Sequence, residues 1–320
     1  WTKNEDFCTW HGIECDNSGH FVTSIDLAAN NLAGKRCPPS EIYVLSSLEK
    51  LAFYSNPISF TFIGIENALN LKTLLVDSTK ITSLAGIGRA SSLTHVNLRF
   101  NRLSGALPDE LQYLTELETL CLSDNFLTGN IPSFLKSMTK LKVLQMSSNR
   151  MTGKLLDFSS LKYLDHIDLS DNLLTGEIPR SFLSGVDTSI KLFVNLSSNR
   201  LYGGIPIELG RLEQLTIQLR GNNIQSIEAG LCQKEAWNNY DVSKYGCDAI
   251  LCPVGTYNDI GRQSTDSNPC IECDEAIHFG TVQCSSGFHR DGTGAINLIF
   301  LFYFCGLIYF MTYAFLVDQT

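Results

Sequence analysis

Positive charge is scarce in this sequence. Its 320 residues include 24 Lys and Arg against 33 Asp and Glu, which gives a formal net charge of −9 at pH 7. Proteins that bind nucleic acid gather Lys and Arg against the phosphates, so this overall balance disfavours nucleic acid as a partner. A mildly acidic surface instead favours solubility.

Catalytic motifs are also missing. The sequence contains no kinase catalytic loop, phosphate-binding glycine loop, serine-hydrolase elbow, metal-ligand helix or paired carboxylates at catalytic spacing. Cys121 is a nucleophile in principle, and we interpret it as an unreactive thiol at an outward strand position. We therefore predict a protein that is not an enzyme and that has no catalytic residues, cofactor or metal.

Hydrophobic residues and cysteines, by contrast, are abundant. The hydrophobic fraction of 44% excludes a disordered chain and allows a large core in one or two domains. Eleven cysteines are too many for an ordinary cytosolic protein, and most lie towards the two ends of the chain. This pattern predicts disulfide-bonded caps in an oxidising compartment, so we expect the chain to be extracellular.

An internal repeat determines the fold. The phrase L-x-x-L-x-L-x-x-N-x-L recurs, and its Asn position defines a ladder of nine turns spaced 22 to 27 residues apart. Apolar pairs such as Leu120 and Leu122 alternate with polar residues, which predicts strands with one buried face in a parallel sheet. Each ladder amide is expected to satisfy backbone groups of neighbouring turns. The ladder residues are Asn30, Asn56, Thr79, Asn101, Asn125, Asn149, Asn172, Asn199 and Asn222.

A second phrase, L-x-G-x-I/L-P, follows the ladder residue in several turns. It occurs at Leu103 to Pro108, Leu127 to Pro132, Leu174 to Pro179 and Leu201 to Pro206. This phrase resembles plant-type leucine-rich repeats, and the resemblance covers residues 22–227. It implies an α/β solenoid, a horseshoe with a parallel β-sheet on its concave face, a second short ladder, and a helical piece such as Ser133 to Ser137 on the convex side. The turns around Asn56 and Thr79 lack the phrase and are expected to be less regular.

The amino-terminal end of a solenoid needs a cover for its exposed core. The segment from Cys8 through Trp10 to Cys15 resembles the amino-terminal cap of plant-type repeat ectodomains. The resemblance implies a Cys8–Cys15 disulfide with Trp10 over the first turn. The helix and signal peptide typical of that family are not seen, so residues 1–21 are expected to be an incomplete cap before the repeats at 22–228.

The carboxy-terminal cover is expected at residues 229–286. It contains Cys232, Cys247, Cys252, Cys270, Cys273 and Cys284. This region resembles the small cysteine-rich modules of ephrin-receptor and tumour-necrosis-receptor ectodomains. With Gly261-Arg262-Gln263 in the same region, it also resembles repeat arrays of diatoms and related algae. The resemblance implies three disulfides of undetermined connectivity, and a zinc site that uses Cys252, Cys270 and Cys273 is the competing interpretation.

The chain closes on an apolar segment. Residues 292–317 contain no charged residue, and the 22 residues from Ile296 to Val317 are almost wholly apolar. A helix of that length rises about 33 Å, enough to span a hydrocarbon core of about 30 Å. We predict a linker at 287–295 and a single-pass transmembrane helix at 296–317, with the repeats outside the cell. A cleaved lipid-anchor signal at Ser285-Ser286-Gly287 and a secreted chain are the alternatives.

These features predict a receptor-like or adhesion-like protein of the cell membrane. Its expected partners are an extracellular protein, peptide or glycan bound on the concave face, and a signalling co-receptor. A structural spacer of the cell wall or matrix is the alternative function. The two differ in whether the concave face carries a binding patch whose residues depart from the repeat consensus.

Candidate ligand-binding residues lie at strand positions whose side chains leave the sheet on its open face. Arg99 and Phe100 replace the small Ser and Asp usual at their positions, and an exposed aromatic beside Arg is typical of interface hot spots. We therefore expect a ligand across turns four to seven with Phe100 as its anchor. The predicted set is His95, Asn97, Arg99, Phe100, Thr119, Asp124, Gln145, His166, Asp168 and Asp171.

One glycosylation motif is present, Asn195-Leu196-Ser197. An N-x-S/T motif in a secreted chain is an acceptor for N-linked glycan. We therefore predict a glycoprotein with its glycan on Asn195, where it would cover part of the concave surface.

Overall fold

A computed structural model describes residues 6–33 and 39–284, together with the backbone of Tyr303–Phe304 and Leu307–Ile308. The described residues form a leucine-rich-repeat solenoid of nine turns and a small disulfide-bonded unit after it. The predicted fold class is therefore confirmed.

One parallel sheet runs the length of the solenoid and forms its concave face. Each turn contributes one strand, the strands pair in chain order, and an antiparallel strand from the amino-terminal cap precedes them. Leu120 pairs with Leu144, and Leu144 pairs with Ile167, so equivalent residues of successive turns lie side by side. The strands are Ile13–Cys15, Val22–Asp26, Lys50–Ala52, Thr73–Leu75, His95–Asn97, Thr119–Cys121, Val143–Gln145, His166–Asp168, Leu192–Asn195 and Leu215–Gln218.

The inward side chains of this sheet form one continuous hydrophobic core. Leu120, Leu144 and Ile167 have no exposed surface, and they belong to a single cluster that extends from Ile25 to Leu251. Burial of each such side chain stabilises the fold by about 1.5–3 kcal/mol. Because one turn has no apolar partner of its own, this stabilisation depends on the stacking of neighbours.

The ladder asparagines bond to the backbone of two turns at once. Nδ2 of Asn125 donates to the carbonyl of Leu122 in its own turn and to that of Leu98 in the preceding turn, both at 3.0 Å. Its Oδ1 accepts from the Leu103 N–H at 3.0 Å. Thr79 takes part only through its hydroxyl group. The predicted role of the ladder is confirmed.

The residue before each ladder position adopts a left-handed backbone conformation. This conformation costs a non-glycine residue about 1–2 kcal/mol, and short residues tolerate it best. Phe100, with a φ of 53°, is the one aromatic residue among the nine positions. The nine residues are Ala29, Ser55, Ser78, Phe100, Asp124, Ser148, Asp171, Ser198 and Gly221.

A second set of strands lies beyond the ladder, and we call it the second sheet. In the described residues it begins in turn four, which agrees with the irregularity predicted for the turns around Asn56 and Thr79. Its two three-stranded parts are Ser104–Gly105, Phe126–Asn130 and Arg150–Thr152, then Thr175–Glu177, Arg200–Ile205 and Asn223–Ile227.

Short 3-10 helices cross the convex side in several turns, and the predicted piece Ser133–Ser137 is one of them. The α-helix of the described chain, Asp241–Tyr245, lies after the repeats. The 3-10 helices are Phe7–Thr9, Ser40–Val44, Ile65–Asn67, Ile87–Arg89, Asp109–Tyr113, Ser133–Ser137, Ile207–Arg211, Leu231–Gln233 and Gly246–Ala249.

Disulfides close both caps. The structure shows the predicted Cys8–Cys15 bond and pairs the later cysteines as Cys232–Cys247, Cys252–Cys270 and Cys273–Cys284. The zinc interpretation is therefore wrong, because each of its three cysteines is bonded to another cysteine. The interpretation of Cys121 as an outward thiol is also wrong, since this residue has no exposed surface and is disulfide-bonded.

The carboxy-terminal unit extends the ladder over the last turn. Asn238 donates from Nδ2 to the Ala249 carbonyl at 2.6 Å and accepts from the Ile217 N–H at 2.8 Å. The preceding residue, Trp237, is fully buried, and its indole N–H donates to the Leu212 carbonyl at 2.7 Å. The cap thus satisfies backbone groups of the last turns in the way that a further turn would.

The predicted membrane segment at 296–317 lies outside the described residues, apart from the backbone of Tyr303–Phe304 and Leu307–Ile308. Those four residues form a two-stranded antiparallel pair, which differs from the helix expected there. In the described part of the chain, no helix combines the length and apolar character needed to cross a membrane.

Candidate ligand-binding face

The parallel register brings the predicted strand residues together in two rows across turns four to seven. One row contains His95, Thr119, Val143 and His166, and the other contains Asn97, Cys121, Gln145 and Asp168. Arg99, Phe100, Asp124 and Asp171 follow the strands, on the edge beside the ladder. All ten predicted residues therefore belong to one face.

Arg99 joins an aromatic ring to a carboxylate on this edge. Its guanidinium carbon lies 5.1 Å from the centre of the Phe100 ring, and its Nη2 lies 3.8 Å from Oδ2 of Asp124 in the next turn. Phe100 is 42% exposed. This pair therefore presents an aromatic surface whose charged neighbour is already oriented, which lowers the entropy lost when a ligand binds.

Carboxylates crowd the same edge. Burial raises the pKa of Asp124, the charge of Arg99 lowers it, and the nearby charges of Asp168 and Asp171 raise it again. Asp168 is held in place because its Oδ1 accepts from the N–H and the hydroxyl of Ser170, at 3.0 and 2.7 Å. The edge therefore concentrates negative charge that Arg99 compensates only in part.

Asp77 in turn three belongs to this cluster, although the predicted set omits it. Burial raises its pKa to about 6, and the charge of Arg99 opposes that shift. The sequence does contain a signal for Asp77. Asp77 and Arg99 occupy the same position in turns three and four, and turns five and six have Ser123 and Ser147 there. An acid followed one turn later by a base at a consensus serine position indicates a local charge pair.

His95 and His166 lie at opposite ends of one row of the face, too far apart to bind one ligand atom together. Burial lowers the pKa of His95 and of His166, so both are neutral near pH 7. His166 stacks on the Phe193 ring at 4.7 Å, and its Nε2 lies 3.0 Å from Nε2 of Gln145. Three strand steps separate the two imidazoles. In the described part of the chain, no group of three or more His, Cys, Asp and Glu is placed to hold a metal ion.

Three of the predicted residues are less accessible than an open face implies. Asn97 is 4% exposed, Thr119 is 4% exposed and Gln145 is 6% exposed. Their polar groups make contacts within the face, since Asn97 bonds to Asp77 and Gln145 bonds to His166. Contact surface for a partner is thus supplied mainly by the edge that Phe100 and the carboxylates form.

The sequon residue Asn195 ends the strand of turn eight and pairs with Asp168. Its Oδ1 accepts from the Ser197 N–H at 3.1 Å, and Ser197 is only 3% exposed. A glycan on Asn195 would therefore stand beside the acidic edge of turn seven.

Three stretches of the chain match the Leucine Rich Repeat family, at residues 92–114, 116–138 and 163–184. They contain the concave strands of turns four, five and seven. The matched stretches thus coincide with most of the candidate face.

Similar proteins from plants are receptor-like proteins. The Receptor-like protein Cf-9 homolog of Solanum lycopersicum is 25% identical over 179 residues, which cover 39% of this chain and 21% of that protein. Receptor-like protein 50 of Arabidopsis thaliana is 34% identical over 125 residues, which cover 39% of this chain and 12% of that protein. The chain thus spans about a fifth or less of the length of these curated relatives.

Solved structures with a similar fold include plant receptor ectodomains. A TDR receptor is 30% identical with a TM-score of 0.60, and the match covers 66% of this chain and 37% of that one. The LRR ectodomain of the Arabidopsis thaliana membrane receptor kinase GASSHO1/SCHENGEN3, solved in complex with CASPARIAN STRIP INTEGRITY FACTOR 2, is 26% identical with a TM-score of 0.57, over 73% of this chain and 34% of that one. A plant ice-binding protein, at 22% identity and a TM-score of 0.55, covers 71% of this chain and 81% of that one and shows the fold alone.

Proposed function

We propose that this chain is the ligand-binding part of a receptor-like protein, and that the concave face of turns four to seven binds a basic peptide or a basic segment of a protein. The observation that carries the proposal is the contact between Arg99, Phe100 and Asp124 on the exposed edge of that face. An exposed aromatic ring beside a positioned Arg has the composition of interface hot spots.

Charge supports a basic ligand. Asp77, Asp124, Asp168 and Asp171 are coupled electrostatically to one another or to the single guanidinium of Arg99. Burial raises the pKa of both Asp77 and Asp124, so these carboxylates lack full compensation in the unbound protein. A Lys or Arg of the ligand would supply it, while Phe100 packs against an adjacent apolar side chain.

Disulfides and relatives support a location outside the cell. Oxidised caps persist in secreted and surface proteins, and the similar plant proteins are receptor-like. Anchoring through residues 296–317 and signalling through a co-receptor complete the proposal, and both stay predictions. So does the relation of the cysteine-rich unit to receptor modules and to diatom proteins. Extraction of isolated membranes at alkaline pH tests the anchor. If residues 296–317 span the membrane, the chain should stay in the membrane fraction.

A selection experiment tests the ligand site. The full chain is displayed on cells and challenged with a phage library of random peptides. Wild-type protein is expected to enrich peptides with Lys or Arg beside an apolar residue, and the R99A/F100A variant to lose them.

The matched control is R150A/F126A, which removes another Arg stacked on a Phe, at 5.2 Å, on the second sheet. Equal enrichment on R99A/F100A and wild type would contradict the site. Absence of any enriched peptide would favour the structural spacer.

A further inference from the structure

A row of side chains lies at the start of the second sheet and just before its strands, formed by residues that directly follow the ladder positions. The N–H of Arg102 donates to the carbonyl of Ile81, and the N–H of Phe126 donates to the carbonyl of Leu103, one residue beyond the row in the preceding turn. The same bond joins Leu173 to Met151 and Arg200 to Leu174, so successive turns are linked at this position. It contains Lys80, Arg102, Phe126, Arg150, Leu173 and Arg200, and we call it the cationic row.

The cations of this row are exposed and not neutralised. Lys80, Arg102, Arg150 and Arg200 are exposed, and within the described residues none of them forms a salt bridge. Most other surface cations of the repeats are paired with a carboxylate one turn away. The strands of the second sheet contain one acidic residue, Glu177. The row is thus a strip of positive charge on a chain with a net charge of −9.

The arginines recur with a fixed period. Arg102, Arg150 and Arg200 occupy alternate turns. The strand register is offset by two residues from one turn to the next, since Ser104 pairs with Phe126 and Thr128 pairs with Arg150, so the row crosses the strands obliquely. Phe126 and Leu173 fill the rungs between them, and the Arg150 guanidinium lies over the Phe126 ring. Hydroxyl groups stand beside the row, because Ser104, Thr128 and Thr175 pair with Phe126, Arg150 and Arg200 of the next turn. Charged and apolar side chains therefore alternate from turn to turn, with hydroxyl groups beside them.

We propose that the cationic row binds a linear polyuronate, a polysaccharide that carries a carboxylate on each sugar. A guanidinium binds a carboxylate through two parallel hydrogen bonds, and a regular polymer presents carboxylates along a line as the row presents arginines. The hydroxyl row matches the hydroxyls of the sugars, and Phe126 and Leu173 match their C–H faces. An acidic protein has no such regular spacing of carboxylates, so we consider it the less favoured ligand.

This surface is distinct from the acidic edge proposed to bind a basic ligand. The ladder asparagines separate the two, and the acidic residues Asp124 and Asp171 belong to the concave side of the ladder. Neither proposal depends on the other, because variants of one row leave the charges of the other in place.

Binding of the full chain to immobilised polygalacturonate, in detergent and at several salt concentrations, tests the proposal. We expect binding that weakens as salt rises, because counterions are released from both partners. Fully methyl-esterified polymer, which lacks the carboxylates, should not bind. R102Q/R150Q should weaken binding about tenfold or more, since each charged hydrogen bond contributes substantially.

The control variant K162Q/K191Q removes the same charge from exposed lysines away from the row. It should bind like wild type. The affinity of R102K/R150K should lie between those of K162Q/K191Q and R102Q/R150Q, because lysine keeps the charge without the paired hydrogen bonds. Absence of binding by the wild-type chain, or equal loss in both glutamine doubles, would overturn the proposal. Equal binding of poly-glutamate with the same dependence on Arg102 and Arg150 would replace it with an acidic protein partner.

Discussion

Asn97 donates a hydrogen bond from Nδ2 to Oδ1 of Asp77, 3.0 Å away, across the boundary between turns three and four. Both residues are buried, and the charge of Arg99 acts on the same carboxylate. The contact connects the irregular early turns to the first turn of the plant type. It also places an ionisable group where its protonation affects stability.

Asp77 should make the protein less stable as pH rises. Its pKa is about 6 in the folded state, raised by burial, against about 3.9 in an unfolded chain. Between these values the folded state keeps a proton that the unfolded state has released, so the free energy of unfolding falls as pH rises from about 4 to about 6, by roughly 3 kcal/mol. Above that range the loss is complete.

The Asp77→Asn variant should remove this part of the pH dependence, because an amide oxygen still accepts from Asn97 and does not titrate. Urea unfolding at about pH 4 and about pH 7 measures the difference. Asp109→Asn, at an exposed position, is the control and should keep the wild-type dependence. A D77N protein with the same fall in stability as wild type would refute this account.

Asn125→Ala should destabilise the solenoid by roughly 2–4 kcal/mol. The change leaves the buried N–H of Leu103 without its partner and removes one donor each from the carbonyls of Leu98 and Leu122, which keep only their bonds from Asn101 and Asn149. Asn223→Ala, at an exposed position one residue after a ladder asparagine, should change stability by less than about 0.5 kcal/mol. Thermal unfolding of both variants measures the contrast, and similar melting temperatures would argue against the ladder as a main source of stability.

Gly261 should be needed for the carboxy-terminal unit to dock. Its φ is +72°, and an added Cβ would lie 2.6 Å from Cβ of Arg220 and 2.9 Å from the Gly280 carbonyl oxygen. Gly261→Ala should therefore loosen the unit from turn nine and expose the end of the core. Gly255→Ala, with a φ of +84° and open space around it, should cost only about 1 kcal/mol. Limited proteolysis compares them, and equal protection would contradict the close approach.

The repeat pattern predicts the fold well because it is redundant. Leu120 and Asn125 have counterparts in other turns, so no single departure, such as Thr79, hides the period. The docking of the carboxy-terminal unit was beyond prediction, because Asn238 joins the ladder outside any repeat phrase. Disulfide connectivity was beyond it too, since many pairings fit the same cysteines.

The sequence predicts which residues form the candidate face, but not how exposed each of them is. Phe100 and Arg99 depart from the repeat consensus, and the sequence alone shows this. The burial of Gln145 depends on contacts made after folding, and the part played by Asp77 depends on its alignment with Arg99 across two turns. The cationic row escaped notice because a net charge averages over the whole chain, whereas a ligand meets one line of side chains.

Asn195 should carry an N-linked glycan when the chain passes through the secretory route. The glycan must be attached before the turn folds, because Ser197 of the motif is buried in the folded protein. Treatment with an N-glycosidase should increase the gel mobility of the wild-type protein and leave Asn195→Gln unchanged. Mobility that does not change in wild type would show that folding precedes attachment, or that the chain takes another route.

Phe100→Gly should separate binding from stability. Every other turn has a small or short polar residue at this left-handed position, so glycine removes a backbone cost of about 1 kcal/mol and the melting temperature should hold or rise. Loss of the exposed ring should nevertheless weaken the binding of peptides selected on the wild-type chain by roughly 2 kcal/mol or more. Ser55→Gly, two turns away at an equivalent left-handed position, is the control without an aromatic ring, and it should leave affinity unchanged. A Phe100→Gly protein that keeps full affinity, measured by titration with one selected peptide, would place the ligand elsewhere on the molecule.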